Sequence, residues 1–443
     1  MKLRFPYGIC DFERIVTEKY FYIDRTDRIA DLEEIGNILF LRPRRFGKSM
    51  LLSMLENYYD LAKADKFEAV FGHLAIGKNP TSEHNQYFVM KWDFSMVEPH
   101  GEVADIRQSL YDHINGCIKD FAIYYRNFLK QEIEIDRANA LFSFRSLLTA
   151  VKTTPHRLYL LIDEYDNFAN EVMVSQQRGQ QRYEEMLYGE GMLKTLFKVI
   201  KGTAAGMGLE RFFITGVSPV VMSDMTSGQN IAHNIYFEPE FNDLCGFREE
   251  EVAKIFQQVA TECHLPPEKM TEGLDTMRTF YNGYSFAYNG IKIYNPTLVL
   301  YFLEHLQKDC QYPREMLDQN LASDRKKLEY VASIPRGERV ILKAVDEQEP
   351  LTVPQLVTRF GVREMVEAGD DDTFAASLLY YLGALTLEGI APNSQLILKV
   401  PNLVMRGLYF ERLQRILLPQ FKPNDINEAG YAILSRWRPA PHL

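Results

Sequence analysis

No stretch of this sequence approaches the roughly 18–20 uninterrupted apolar residues that span a bilayer, so no transmembrane helix is expected. The start, Met1-Lys2-Leu3-Arg4-Phe5-Pro6, soon meets Asp11 and Glu13 and never builds the apolar core of a secretory signal. A cytoplasmic location is the resulting expectation. Cysteine is scarce: five residues, at 10, 117, 245, 263 and 310, widely spaced and without a Cys-x-x-Cys pair. Neither a disulfide framework nor a zinc site is expected, and all five are read as structural or incidental. The nine histidines show no His-x-x-x-His spacing, which leaves no transition-metal site to propose. Positive charge is in deficit, with 50 Lys and Arg against 60 Asp and Glu, a net charge of −10 and a pI near 5.5. Such a chain has no bulk attraction to nucleic acid or anionic lipid.

What is present is an ordinary globular composition, 46% hydrophobic and 25% charged over 443 residues, enough for two or three domains. The first half alternates short apolar runs with longer helical patterns, the rhythm of an α/β domain with a mainly parallel sheet. Ile38-Leu39-Phe40-Leu41, Tyr87 to Trp92, Leu158 to Ile162 and Arg211 to Thr215 read as strands. The segment 49–61 reads as an amphipathic helix through Leu51, Leu52, Leu55, Tyr58 and Tyr59, and 102–131 and 136–152 as two more. Residues 171–191 are polar and read as an exposed helix or loop.

Between the first strand and its helix lies Arg42-Pro43-Arg44-Arg45-Phe46-Gly47-Lys48-Ser49, the context of a phosphate-binding P-loop. Backbone N–H groups at the helix start point at phosphate oxygens, and the helix dipole favours their charge. Gly47 lets the chain pass close to phosphate. Lys48 would reach the β- and γ-phosphates, and Ser49 would ligate Mg²⁺. Arg44 and Arg45 would meet either phosphate or a neighbouring acidic residue. The usual first glycine of G-x-x-x-x-G-K-[ST] is replaced by Arg42. Taken alone, the segment also reads as a basic turn ahead of a helix.

The strand Leu160-Leu161-Ile162 delivers Asp163 and Glu164 at its end, as a Walker B strand does. Asp163 would hold Mg²⁺ and Glu164 would orient and deprotonate the attacking water. The order is phosphate loop, then a strand ending at Asp93, then Asp163-Glu164, then a strand ending at Thr215. That is the arrangement of the ASCE division of P-loop ATPases, in which Thr215 takes the place of a polar sensor of the γ-phosphate.

These residues resemble the AAA-ATPase-like family of bacteria and archaea, whose P-loop is likewise poor in glycine. Pro6-Tyr7-Gly8 with Tyr20-Phe21-Tyr22-Ile23-Asp24-Arg25-Thr26 is similar to the family's N-terminal signature, although Lys is more usual than Arg25. Thr215-Gly216-Val217-Ser218-Pro219, Asn230-Ile231-Ala232, Cys245-Gly246-Phe247, Tyr281-Asn282-Gly283-Tyr284-Ser285-Phe286 and Tyr294-Asn295-Pro296 carry the likeness onward, over roughly residues 4–410. The resemblance implies ATP and Mg²⁺ as cofactors. It also implies that Phe5, Pro6 and Tyr7 stand near the adenine, with core packing as the alternative. Family members often add a C-terminal nuclease-like domain of the PD-(D/E)xK type, which the sequence up to Leu443 is not expected to contain.

The expected organisation is an ATPase domain over 1–245, a helical lid over 246–335 and a winged-helix-like domain over 336–443. In the last of these, helices are expected at 340–345, 355–360 and 375–382, with β-like runs at 384–387 and 395–400. Residues 336–415 hold nine Lys and Arg against eleven Asp and Glu, a net −2 that disfavours DNA and leaves a protein partner as the expectation. The function read from the sequence is a Mg²⁺-dependent ATP-binding protein, a slow ATPase acting as a conformational switch. The competing reading is a nucleotide-binding interaction module without significant hydrolysis.

Overall fold

Four-residue apolar runs become strands when both faces of a sheet are covered, and here they do. Strands β1 (Ile38–Leu41), β2 (Tyr87–Asp93), β3 (Arg157–Asp163), β4 (Leu209–Gly216) and β5 (His233–Asn234) form one parallel sheet in the order β2-β3-β4-β1-β5. β1 is buried along its whole length; β4 pairs with all four of its residues and β5 with Ile38 and Leu39. The molecule is a computed structural model that describes residues 2–167, 171, 192–204, 206–219, 232–288, 290–317, 322–334, 336–346, 349–358, 360 and 371–417. The polar segment 171–191 therefore lies, Glu171 apart, outside the described residues.

The helices that accompany this sheet are α1 (Phe12–Thr17), α2 (Arg28–Ile35), α3 (Lys48–Tyr59), α4 (Phe67–Phe71), α5 (Val103–Tyr124), α6 (Ala140–Lys152) and α7 (Met192–Ala204). Each of the predicted helices has a local cause. At the start of α5, Glu102 and Asp105 form a reciprocal capping box, and the Asn139 side chain accepts from Phe142 N–H ahead of α6. α3 buries Leu51, Leu52, Met54, Leu55, Tyr58 and Tyr59, a stripe so wide that the helix is a core element. Helix α5 stops at Tyr124, short of the expected 131, and α6 starts at Ala140. Among the described residues no helix is long and apolar enough to cross a membrane.

The chain divides into two compact units, one of Met1–Cys245 with Thr358–Glu364, the other of Gly246–Val357 with Met365–Leu443. The second holds α8 (Glu249–Glu262), α9 (Pro267–Tyr281), α10 (Pro296–Asp309), α11 (Ala322–Ser333), α12 (Gly337–Val345), α13 (Thr373–Tyr381) and α14 (Leu403–Leu417). It also holds an antiparallel sheet of β6 (Leu351–Val353), β7 (Thr386–Ile390) and β8 (Leu396–Lys399), in the order β6-β8-β7. Glu249, Glu250 and Glu251 crowd the first turn of α8, where the helix dipole favours negative charge. Its early helices and its late strands are tied together by hydrogen bonds. Ser285 N–H donates to Thr386 Oγ1 at 2.7 Å, Asn402 Nδ2 to Asn282 O at 2.9 Å, and Lys292 Nζ to Leu387 O at 2.8 Å. Gly283 (φ 101°) sits so close to residue 401 that a Cβ would stand 2.0 Å from Pro401 O.

Two expectations are corrected here. Residues 355–358, the described start of the expected helix 355–360, form no helix; Val357 N–H donates instead to Ser377 Oγ at 2.9 Å. Without that helix in the described residues a winged helix is not established, and 361–370 lie outside them. The five cysteines are not all unpaired, since Cys263 and Cys310 form a disulfide. They cap the C-termini of α8 and α10, which pack together, so 47 residues of sequence separation vanish in space.

Candidate functional site

The loop 42–49, Asp163, Glu164 and Thr215 stand at the C-terminal ends of the parallel strands β1, β3 and β4, where ligands bind in open α/β sheets. In the register of the sheet Phe40 stands beside Thr215 and Leu41 beside Gly216, while Ile162 stands beside Ile214 and Asp93 beside Asp163. β4 thus separates the strand that leads into the phosphate loop from the strand that ends in Asp163.

After Leu41 the chain turns through 42–47 and enters α3 at Lys48, with Gly47 as N-cap at φ 93°. Nothing lies within 4 Å of a Cβ placed on Gly47, so the backbone conformation and not crowding calls for glycine. Arg45 holds a left-handed φ of 66° without that freedom. Pro43 and Phe46 are buried, and Ser49 lies in the first helical turn. Lys48 is only 3% exposed: its Nζ donates to Pro43 O at 3.2 Å and stands 3.6 Å from Glu164 Oε1.

On the facing strand, Asp163 Oδ1 accepts the Thr215 hydroxyl at 2.6 Å and Glu164 N–H at 3.0 Å. Asp163 and Thr215 are buried, whereas the Glu164 side chain keeps 18% of its exposure. Glu164 itself adopts φ 50°, a left-handed backbone unusual for glutamate. Lys48, Asp163, Glu164 and Thr215, expected to act together, are therefore adjacent.

The remaining sequence candidates are placed less uniformly. The Arg42 side chain turns inward, 1% exposed, and donates to Leu41 O, Tyr236 O and Phe241 O at 2.8, 3.1 and 2.7 Å. Its guanidinium stacks over the Phe40 ring at 4.4 Å. Arg44 is partly exposed, and its Nη2 donates to Asn167 Oδ1 at 2.5 Å. Phe5 is buried and packs edge-on against Phe21 at 5.9 Å, Pro6 O accepts Ile9 N–H, and Tyr7 is partly exposed.

Sequence reasoning passed over Asp166 and Asn167, and quoted Ser218 only within the family likeness. Asp166 is fully buried and accepts from Val217 N–H, Ser218 N–H and Ser218 Oγ. The signal was present as a third carboxylate in Asp163-Glu164-Tyr165-Asp166-Asn167. Cys10, read from the sequence as structural or incidental, stands near Asp163. Burial, then the nearby charge of Asp163, pushes its thiol above the usual range, with Lys91 lowering it and Asp93 raising it further.

A protein of Azotobacter chroococcum mcd 1, described as an uncharacterized protein in the vnfD 5' region, is 26% identical over 435 residues, covering 94% of this chain and 71% of its own. Among solved structures the chain is similar to the Aeropyrum pernix Orc1 protein in complex with DNA, with 10% identity, a TM-score of 0.31, and coverage of 90% of this chain and 96% of that one. The family described as Predicted AAA-ATPase matches residues 6–226, a span that contains the phosphate loop, Asp163, Glu164 and Thr215. Over those residues the chain belongs to the AAA-ATPase-like family.

Proposed function

We propose that this chain binds ATP with Mg²⁺ and hydrolyses it slowly, using the cycle as a conformational switch toward a protein partner. The observation that carries this reading is the convergence of Lys48, Asp163, Glu164 and Thr215 at the ends of adjacent parallel strands. The donor set fits a magnesium nucleotide. Ser49 and Asp163 offer hard oxygen ligands for the ion, Lys48 offers a cation, and the start of α3 offers backbone N–H groups. The backbone N–H groups of 44–49 and the Lys48 side chain would hold the phosphates. When bound, magnesium would offset phosphate charge.

In this reading Glu164 draws a proton from the attacking water and Thr215 positions its γ-phosphate-facing side. Phe5, Pro6 and Tyr7 are offered as the adenine-side residues. Arg45 stays with the phosphates, Arg44 acts through Asn167, and Arg42, Pro43 and Phe46 shape the loop from beneath. The proposed organisation is an ATPase domain over 1–245, a helical lid over 246–335 and a winged-helix-like domain over 336–443, in a cytoplasmic protein. The net −2 of residues 336–415 weighs against DNA as the partner.

One observation favours a second reading, in which nucleotide is held without turnover. Glu164 already stands 3.6 Å from Lys48, so its carboxylate is engaged by the cation that the phosphates would otherwise claim. Binding and single-turnover hydrolysis of Mg-ATP, for wild type beside Lys48→Ala and Glu164→Gln, separate the two. The expected result is that Lys48→Ala weakens binding by roughly 10–100-fold. Glu164→Gln should keep binding but lower turnover by about 10²–10⁴-fold. Tight binding without turnover in wild type would leave the interaction module, and no binding at all would end both readings.

A further inference from the structure

Three ties fasten the end of β4 to the chain that follows β3. Thr215 Oγ1 donates to Asp163 Oδ1 at 2.6 Å, Tyr165 N–H donates to Thr215 O at 3.1 Å, and Asp166 receives the next two residues. Its Oδ1 accepts Val217 N–H at 3.0 Å, and its Oδ2 accepts Ser218 N–H at 2.7 Å and Ser218 Oγ at 2.9 Å. Tyr165 OH returns a further bond to Ser218 O at 2.5 Å. The fit is close, because a Cβ on Gly216 would stand 2.5 Å from both Asp166 Oδ1 and the Tyr165 ring.

A fully buried carboxylate is a costly way to hold two strands together, since apolar packing does so without removing a charge from water. What a satisfied polar network adds is a single geometry. The residue that needs one is Glu164, which lies between Asp163 and Tyr165 at φ 50°. A left-handed glutamate persists only where its surroundings over-determine the backbone, and here both of its neighbours are pinned to β4.

We infer that Asp166 is a positioning residue for hydrolysis: with Ser218 it forms a clasp that fixes Glu164 and the Thr215 hydroxyl relative to one another. The inference rests on the ATPase reading above. The phosphate loop is carried by β1 and α3; Arg42 N–H donates to Gly216 O at 3.1 Å and Arg44 to Asn167, but neither bond uses the Asp166 or Ser218 side chain, so the clasp governs turnover and leaves nucleotide affinity to the loop. Asp166→Asn keeps the size of the side chain but turns an N–H donor toward a donor, and so loosens the clasp.

The test is radiolabelled single-turnover hydrolysis of Mg-ATP, with nucleotide Kd measured separately, for wild type, Asp166→Asn, Glu164→Gln and the double variant. Asp166→Asn should lower kcat by about 10–100-fold, the scale of a misplaced catalytic group, with Kd within about threefold of wild type. In the Glu164→Gln background the same substitution should cost little more, because its effect passes through Glu164. An equal loss in both backgrounds, a wild-type rate for Asp166→Asn, or a Kd that weakens in step with kcat would overturn the inference. Should Asp166→Asn fail to fold, Ser218→Ala removes only the hydroxyl bond and should lower kcat a few-fold at constant Kd; unchanged kcat would overturn it equally. Failure of the underlying reading is recognised separately, by a wild type that binds or hydrolyses no ATP.

Discussion

Arg42 and Phe241 lie 199 residues apart, yet the arginine Nη2 reaches the phenylalanine carbonyl at 2.7 Å inside the first unit. Where a P-loop usually has its first glycine, this chain has a buried cation that gathers carbonyls of 41, 236 and 241. The glycine is absent because the position has acquired a structural task.

Arg42→Gly, which restores the usual pattern, should therefore harm the protein. It removes three charge-assisted hydrogen bonds and leaves a cavity beneath the loop, a loss of about 3–5 kcal/mol. Urea unfolding should show a lower midpoint with the slope unchanged. A variant as stable as wild type would mean that the carbonyls find other donors.

Asp60 should shape the pH dependence of stability. Its carboxylate is buried and accepts Tyr124 OH, Tyr125 OH and Ala62 N–H, but burial outweighs these bonds and raises its pKa. The folded state then holds this proton more tightly than the unfolded chain. The group's contribution is fully present below the ordinary Asp value of about 3.9 and is lost as pH rises through its raised folded value. Asp60→Asn keeps an acceptor and removes the ionisation. It should be at least as stable as wild type near neutral pH, with the advantage narrowing toward about pH 4. An advantage that grows in acid would contradict the assigned cause.

The disulfide between Cys263 and Cys310 gives a chemical prediction. Alkylation after denaturation without reductant should label Cys10, Cys117 and Cys245, and reductant should expose the other two. Cys263→Ser should lower stability by about 2–4 kcal/mol under oxidising conditions and leave the reduced protein nearly unchanged. Equal losses in both conditions would assign the effect to packing.

The sheet was legible because its strands announce themselves locally: apolar runs such as Leu158 to Ile162 stop abruptly at polar residues where the crevice opens. Lys48, Asp163, Glu164 and Thr215 were legible through spacing and order. What escaped depends on partners far along the chain. Arg42 bonds to carbonyls near residue 240, Asp166 to Val217 and Ser218 just beyond β4, and Val357 to Ser377 in place of a helix. Strand β5 escaped for another reason, since two residues, His233 and Asn234, carry no periodicity at all.

Gly283 has a bearing on how such a chain can change over generations. Its contact with the carbonyl of Pro401, together with the bonds from Ser285 to Thr386 and from Asn402 to Asn282, couples a turn in the early helices to the late strands of the second unit. Neither segment can be exchanged alone for one of different shape without opening the other. The turn at 281–286 and the stretch 386–402 therefore constrain each other's shape, and a change of backbone in one has to be matched in the other.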